Sequence, residues 1–415
     1  MKTNLVVAAL AVALGAGCAT TTDDDQNGGG GSGGIDGTGG TGGVGGSGGD
    51  GGGGGDGGTG GDGGGAGGSG GSGLIEDGGL IGDGETEVGF FVVADEEDQL
   101  DVPRDLGFHP ERIGELWIVN RADDSTTIVF DALEEGANVE WRKDGFALHF
   151  MEEVSSIAFG AKNYRDDYSF GTCQESTNTY DNQADPNYFM GPALWTANLD
   201  IYAVNNPIGL GSHLDMLHES PLCMGIAHDV DNVYWVFDGH NSRIVRYDFQ
   251  EDHDAGYDDH SDGIIHFVTS PRVTRVADVP SHLILDKETK VLYVADTGGQ
   301  RIIALDTTSG SKLGDRRAIE PGTVVENWSG FDFWELVPAS SGLLERPSGI
   351  ALHGNTVYVS DNATGEILAF DREGNLLRRL ATGVEAGGLM GIEVGPDQKL
   401  YFVDAVGNKA YRIEY

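Results

Sequence analysis

Short apolar segments recur along the chain between residues 85 and 415, and polar turns separate them. One type of segment ends in an acidic residue or asparagine, and its copies are ELWIVN (115–120), VYWVFD (233–238), VLYVAD (291–296), TVYVSD (356–361) and KLYFVD (399–404). A second segment follows each copy after a short turn, and these are TIVFD, IVRYD, IIALD, ILAFD and AYRIE. Apolar and β-branched runs of this length, bounded by turns, predict paired β-strands.

A third apolar segment precedes each pair, and one extra copy stands between the first two pairs. The six copies are DLGFH (105–109), SSIAFG (155–160), GIAHD (225–229), HLILD (282–286), GIALH (349–353) and GIEVG (391–395). Their starts are 42 to 70 residues apart, which leaves room for a fourth strand in each unit. Six units of this size predict an all-β fold, a six-bladed β-propeller over residues 85–415.

The last unit reaches Tyr415 after only three strands. We therefore expect EVGFFVV (87–93) to supply its outer strand and close the ring, because closure removes an unpaired sheet edge.

The sequences of the repeats resemble those of the NHL-repeat family, most closely in LYVADTGGQRIIALD (292–306) and RPSGIALHGNTVYVSDNATGEILAFD (346–371). The resemblance implies a six-bladed propeller. It does not imply one function, because the family includes protein-binding and nucleic-acid-binding modules as well as enzyme relatives.

The N-terminus predicts export. Residues 1–17 resemble a bacterial lipoprotein signal peptide, in which Lys2 and a short apolar run precede Cys18 as the site of lipidation. Plain export and an uncleaved anchor are the alternatives. Residues 18–84 are so rich in glycine that they cannot offset their ordering entropy, and they predict a disordered tether. The expected location is extracytoplasmic, lipid-anchored to a bacterial membrane, with the outer membrane favoured.

Charge and cysteine content narrow the partners. The net charge is −42 and no basic block occurs, so phosphate backbones are repelled and nucleic-acid binding is excluded. We expect a monomer. In an exported protein the remaining cysteines, Cys173 and Cys223, predict one disulfide, with metal thiolates or free thiols as alternatives. YSFGTC (168–173) is taken as the second strand of blade 2.

The stretch HLDMLHESPLCMG (213–225) opens a histidine-rich region. We read it as the loop leading into blade 3, on the same face as the turn that holds His240 and the start of the inner strand at His282. The metal-site prediction is therefore a zinc or copper ion, with calcium less favoured, held at the channel mouth by His213, His218, His240 and His282. The alternative is that these histidines serve hydrogen bonding and packing. The recurring strand-end acids are expected to cap turns.

A second cluster, HDAGYDDHSDG (253–263), follows the third strand of blade 3 and is expected on the opposite face, toward the outside. Asp258, His260 and Asp262 are candidate ligands of a second cation. An EF-hand is excluded because Thr269 stands where that loop needs glutamate. A solvated acidic loop is the alternative.

Two classes of function remain. Anchor, tether and propeller together suggest a surface-displayed module that binds an unknown protein or small-molecule ligand at its channel mouth. The alternative is a metal-dependent lyase or hydrolase resembling the amidating-lyase and lactonase propellers. The amidating-lyase pattern uses histidines from several inner strands, and in this sequence only His282 occupies such a position. A lactonase-type calcium site needs carboxylates in the channel, and only Asp105 is predicted to lie there. Catalytic residues are left open.

Overall fold

The computed structural model describes residues 79–177, 188–204, 209–257 and 259–415. These residues form 26 strands in six sheets. Among them, no helix has the length and apolar character needed to cross a membrane. The signal peptide, Cys18, most of the tether and Asp258 lie outside the described residues.

The strands follow the predicted repeat. The first strand is β1 (Gly89–Ala94), and blade 1 contains β2 (Pro103–Phe108), β3 (Leu116–Asn120), β4 (Ser125–Val129) and β5 (Val139–Arg142). Blade 2 contains β6 (Val154–Lys162), β7 (Tyr168–Gln174), β8 (Ala193–Thr196) and β9 (His213–Met216). Blade 3 contains β10 (Cys223–His228), β11 (Val233–Asp238), β12 (Arg243–Asp248) and β13 (Ile264–Arg272).

The remaining blades continue in the same order. Blade 4 contains β14 (Leu283–Asp286), β15 (Val291–Asp296), β16 (Arg301–Asp306) and, after an inserted hairpin of β17 (Ser311–Arg316) and β18 (Val324–Ser329), β19 (Phe333–Val337). Blade 5 contains β20 (Pro347–His353), β21 (Thr356–Asp361), β22 (Glu366–Phe370) and β23 (Leu376–Ala381). Blade 6 contains β24 (Leu389–Val394), β25 (Leu400–Asp404) and β26 (Lys409–Glu414). One short helix, α1, spans Ala147–Phe150, and 3₁₀ turns span Gly79–Ile81, Glu96–Asp98 and Ala339–Ser341.

The ring closes as the sequence predicts. Strand β1 pairs antiparallel with β26, from Gly89 opposite Glu414 to Ala94 opposite Ala410. The sixth blade therefore has the order β1-β26-β25-β24 and combines both ends of the folded unit. This closure confirms the six-bladed propeller and covers the edge that β26 would otherwise expose.

Apolar side chains pack between neighbouring blades. Strand β11 is buried along its whole length, and Trp117, Trp195 and Trp235 are among the largest fully buried side chains. A central strand of a blade has a sheet against each face, so both of its faces are apolar. This explains why the repeated segments read as nearly continuous apolar runs.

The recurring acids cap turns, which confirms their structural interpretation. The Asp238 carboxylate accepts hydrogen bonds from Arg243 Nε at 2.7 Å and from the Asn241 amide at 2.9 Å. Asp306 accepts from the Thr308 amide at 2.9 Å, and Asp371 from the Glu373 amide at 3.0 Å.

Two features go beyond the predicted repeat. The hairpin β17–β18 is inserted between the third and fourth strands of blade 4, and β18 pairs in parallel with β13, so that blade 3 has six strands. The turn Gly79–Ile81 also packs into the propeller: Leu80 and Ile81 are buried, and the Leu80 amide donates to the Tyr358 hydroxyl at 3.3 Å. These residues precede the boundary expected at residue 84.

Candidate functional site

The four histidines predicted to share an ion occupy four different environments. His213 begins β9 and stacks on Phe150 with ring centroids 3.6 Å apart. His218 stacks on Phe189 at 4.0 Å. His240 is exposed in the turn between β11 and β12, whereas His282 is buried just before β14.

The structure does not bring these four residues together. Among the described residues, the one group of three or more potential ligands with mutually close ligand atoms is Asp215, His253 and Asp262. The physical reason is that HLDM forms the fourth strand of blade 2, β9, instead of a loop leading into blade 3. His213 therefore points into the blade core, away from the channel that His282 lines.

The disulfide prediction is confirmed. Cys173, at the end of β7, is bonded to Cys223, the first residue of β10, with their Cα atoms 5.1 Å apart. The bond joins blade 2 to blade 3. Both cysteines are fully buried, in the apolar cluster between these two blades.

The second histidine cluster lies beside the first. His260 Nδ1 is 2.8 Å from Asp215 Oδ1, and the rings of His260 and His218 are 5.2 Å apart. Of the three residues predicted as a second cation site, Asp262 approaches His253, with 3.4 Å between Oδ1 and Nε2. The two sequence clusters thus meet on the flank of blades 2 and 3.

The channel holds a different constellation. A cavity of about 180 Å³ lies between the inner strands. Five ionisable side chains line it: Asp105 of β2, His282 before β14 and Glu393 of β24, together with His228 and Lys287 toward one end. The remaining wall is largely apolar and includes Ile157, Phe159, Ile226, Ile284, Ile350 and Ile392.

Hydrogen bonds fix the tautomer of His282. Its Nε2 donates to the Ser155 carbonyl at 3.1 Å, so Nδ1 carries the lone pair when the ring is neutral. Nδ1 lies 3.5 Å from Asp105 Oδ1. Asp105 is itself held by the backbone amides of Leu106 at 2.9 Å and Ile157 at 3.0 Å. Two acceptors therefore face each other unless a proton or a ligand donor stands between them.

Burial sets the charge state of these groups. It raises the pKa of Asp105 to about 8, with the two backbone amides opposing the shift. Burial and then the charge of Asp105 raise the pKa of Glu393 to about 8. Burial lowers the pKa of His282 to about 4. At neutral pH these three groups are thus largely uncharged.

Ion pairs cover the loop-rich end of the channel. Arg121 Nη2 lies 2.8 Å from Asp278 Oδ1, and Arg275 Nη1 lies 2.9 Å from Glu175 Oε1. Beneath them the buried Arg104 donates to the Asp278 carbonyl. Burial, together with the charge of Arg121, lowers the pKa of Arg104 to about 10.

The opposite end is the more accessible one. Phe108 and His228 are half-buried there, and Lys287 is exposed. Lys287 Nζ donates to His228 Nδ1 at 2.7 Å. Burial and the charge of Lys287 lower the pKa of His228 to about 4, so the Lys287 ammonium is the cation at this rim.

Glu393 is the site residue that sequence reasoning missed. It belongs to GIEVG (391–395), which was correctly identified as an inner strand. Side chains on a strand alternate between faces. Gly391 lies against Asp105, and Glu393, two residues further along the strand, lines the channel. The alternation along GIEVG therefore predicts the position of Glu393 from the sequence.

Comparisons with known proteins find similar solved structures at low sequence identity. No protein-family model and no curated protein sequence matches the chain. Similar solved structures include an auxiliary nutrient binding protein from Bacteroides thetaiotaomicron, with 12% identity over 75% of this chain and 69% of that chain and a TM-score of 0.47. Virginiamycin B lyase from Staphylococcus aureus has 10% identity over 79% of this chain and 100% of that chain, with a TM-score of 0.45. A chain of a nidogen/laminin complex has 11% identity over 71% and 85%, with a TM-score of 0.46.

Proposed function

We propose that this protein is an extracytoplasmic, membrane-tethered propeller that binds a small amine with an apolar body in its central channel. The observation that carries the proposal is the cavity in which Asp105, His282 and Glu393 converge above an apolar wall. A pocket of few polar groups in an apolar lining is the usual form of a small-molecule site.

The acceptor set matches an ammonium group. A primary ammonium has three N–H donors and no acceptor. The channel offers the Asp105 carboxylate, the His282 Nδ1 lone pair and the Glu393 carboxylate. Binding a cation favours the ionised form of both acids, and an ammonium N–H then takes the place of the acid proton between Asp105 and His282.

The cavity walls and rim refine the ligand class. The isoleucine-rich wall suits an aliphatic or aromatic body. The ligand would enter from the end where Lys287 is exposed, because ion pairs cover the other end. An anionic substituent on the outer side of the ligand would meet the Lys287 ammonium there.

Export and anchoring complete the proposal. The signal-like segment with Cys18 and the glycine-rich stretch support a propeller held at a distance from a bacterial membrane. The Cys173–Cys223 disulfide supports an oxidising compartment.

Calorimetry with benzylamine as the probe tests the channel proposal. We expect binding of one benzylamine per chain, and at least tenfold weaker binding by Asp105→Asn and by Glu393→Gln, because each substitution removes one ionisable acceptor. Benzyl alcohol, which has the same apolar body without the ammonium, should bind at least tenfold more weakly than benzylamine.

The matched control is Glu385→Gln, which changes an exposed glutamate near blade 6 and should leave binding unchanged. Equal binding of benzylamine and benzyl alcohol, or unchanged binding by Asp105→Asn and Glu393→Gln, would refute the role of the acids.

A metal-dependent lyase or hydrolase is the second candidate. Glu393 supplies a second carboxylate beside Asp105 and His282. Two carboxylates and an imidazole suit a divalent cation better than Asp105 and His282 without Glu393 would. Elemental analysis of wild-type protein and of His282→Ala tests this candidate. A stoichiometric metal that disappears in His282→Ala would replace the amine proposal.

A further inference from the structure

Two distant segments meet on the outer flank between blades 2 and 3. They are β9 and the connection between β12 and β13, of which residues 249–257 and 259–263 are described. The Gly256 amide donates to the His213 carbonyl at 2.8 Å, and the Leu210 amide donates to the Gly256 carbonyl at 2.9 Å. This pairing brings one ligand atom each of Asp215, His253 and Asp262 within 4.8 Å of one another. We call these three residues the flank cluster.

One distance in the flank cluster is compatible with two ligands of a single zinc ion. His253 Nε2 lies 3.4 Å from Asp262 Oδ1. Two ligands that each bind zinc at about 2.0 to 2.2 Å stand about 3.3 to 3.6 Å apart in a tetrahedron. The Glu251 amide donates to Asp262 Oδ2 at 3.2 Å and so directs the other oxygen, Oδ1, toward His253.

Asp215 is a buried carboxylate with one unused oxygen. Asp215 is 1% exposed to solvent. Oδ1 accepts from the Met216 amide at 2.6 Å and faces His260 Nδ1 at 2.8 Å. Oδ2 is buried and receives no hydrogen bond from the described residues. A buried carboxylate oxygen without a donor is costly, and a cation bound to Oδ2 would remove that cost.

We propose that the flank cluster binds a zinc ion that holds blade 2 to blade 3. Zinc binds imidazole nitrogen and carboxylate oxygen, so one imidazole and two carboxylates with a water would complete a four-coordinate site. The two carboxylate charges balance the dication. His260 orients Asp215 from the outer sphere, as partners of metal-bound carboxylates commonly do.

The surroundings suit a structural ion. Thr323 Oγ1, in the turn between β17 and β18, donates to the His260 carbonyl at 2.7 Å, and the Ile319 amide donates to Glu219 Oε1 at 3.0 Å. The hairpin thus fastens the connection against blade 2. His253 and Asp262 remain 18% and 32% exposed in their side chains, which leaves a path for the ion. The site is separate from the channel and independent of amine binding.

Titration with ZnCl₂ alone tests the site. Every protein carries Cys18→Ser, to remove that thiol as a ligand, and is first stripped with a chelator. We expect one zinc per chain by calorimetry and elemental analysis, at least tenfold weaker binding by His253→Ala and by Asp262→Asn, and a zinc-dependent rise in Tm that His253→Ala abolishes. Both variants change partly exposed side chains, so the fold should tolerate them.

Two matched controls should keep wild-type zinc affinity: Asp259→Asn, in the same connection, and His282→Ala, in the channel. The proposal fails if His253→Ala and Asp262→Asn bind zinc as the wild type does. It also fails if the loss follows His282→Ala instead, or if CaCl₂ at equal concentration displaces the zinc.

Discussion

At the scale of single residues, the channel concentrates acids where water cannot solvate their charges well. Burial raises the pKa of Asp105 and of Glu393 to about 8, while their usual values are 3.8 and 4.5. Between about pH 4 and pH 8 these two acids therefore hold more protons in the folded state than in the unfolded state. The contribution of Asp105 and Glu393 to the free energy of unfolding falls through this window as the pH rises, because the unfolded chain releases these protons more readily.

Glu393→Gln should weaken this pH dependence. Glutamine keeps the shape of the protonated acid but cannot ionise. We expect similar free energies of unfolding for variant and wild type at pH 5, and a variant more stable by on the order of 1 to 2 kcal/mol at pH 9. Urea unfolding at both pH values measures the difference, with the exposed Glu385→Gln as control. A constant difference between Glu393→Gln and wild type would show that Glu393 ionises as freely in the fold as outside it.

The sequence revealed part of the candidate site. Asp105 and His282 follow from the position of the inner strands, because the repeat fixes which residues face the channel. Glu393 obeys the same rule. The joining of Asp215 to His253 and Asp262 does not follow from the repeat, because it depends on how an irregular connection folds back on a neighbouring blade.

At the scale of elements, the interface of blades 2 and 3 carries the most irregular chain. Strand β9 departs from the repeated segments, so the sequence HLDM is typical of a loop although it pairs with β8. The hairpin β17–β18 was equally hidden. Strand β17 is polar and largely exposed, β18 has one buried residue, and neither shows the apolar alternation that identifies a blade strand. The disulfide between β7 and β10 crosses this interface.

Replacing both Cys173 and Cys223 by alanine should destabilise the propeller. The bond spans 50 residues, and a loop of that length corresponds to about 4 kcal/mol of unfolded-state entropy. Urea unfolding of the double variant against the oxidised wild type measures this loss. Mass spectrometry of non-reduced wild-type peptides provides the control, and two free thiols there would contradict the structure.

At the scale of the whole molecule, the fold is a closed ring whose first and last described strands share one sheet. The repeat predicted this closure because the final unit lacked a strand and the segment before blade 1 had a strand pattern. The turn Gly79–Ile81 was not predicted, since two apolar residues at the end of a glycine-rich stretch give too short a signal.

Two truncations test where the folded unit begins. Removing residues 19–78 should leave the free energy of unfolding within about 0.5 kcal/mol of the full chain, because glycine-rich sequence contributes little burial. Removing residues 19–84 also deletes the buried Leu80 and Ile81 and should cost about 3 kcal/mol. Equal stability of the two truncated proteins, measured in urea, would show that this turn contributes nothing to the core.

The most direct measurement of the central claim is proton release on amine binding. At pH 7 the raised pKa values keep both channel acids largely protonated, and an ammonium in the cavity must ionise at least one of them. Calorimetry of benzylamine binding in buffers of different ionisation enthalpy should therefore show release of about one proton per ligand. The double variant that carries both Glu393→Gln and Asp105→Asn should show no proton release. Binding without any proton release would contradict recognition by the Asp105 and Glu393 carboxyl groups.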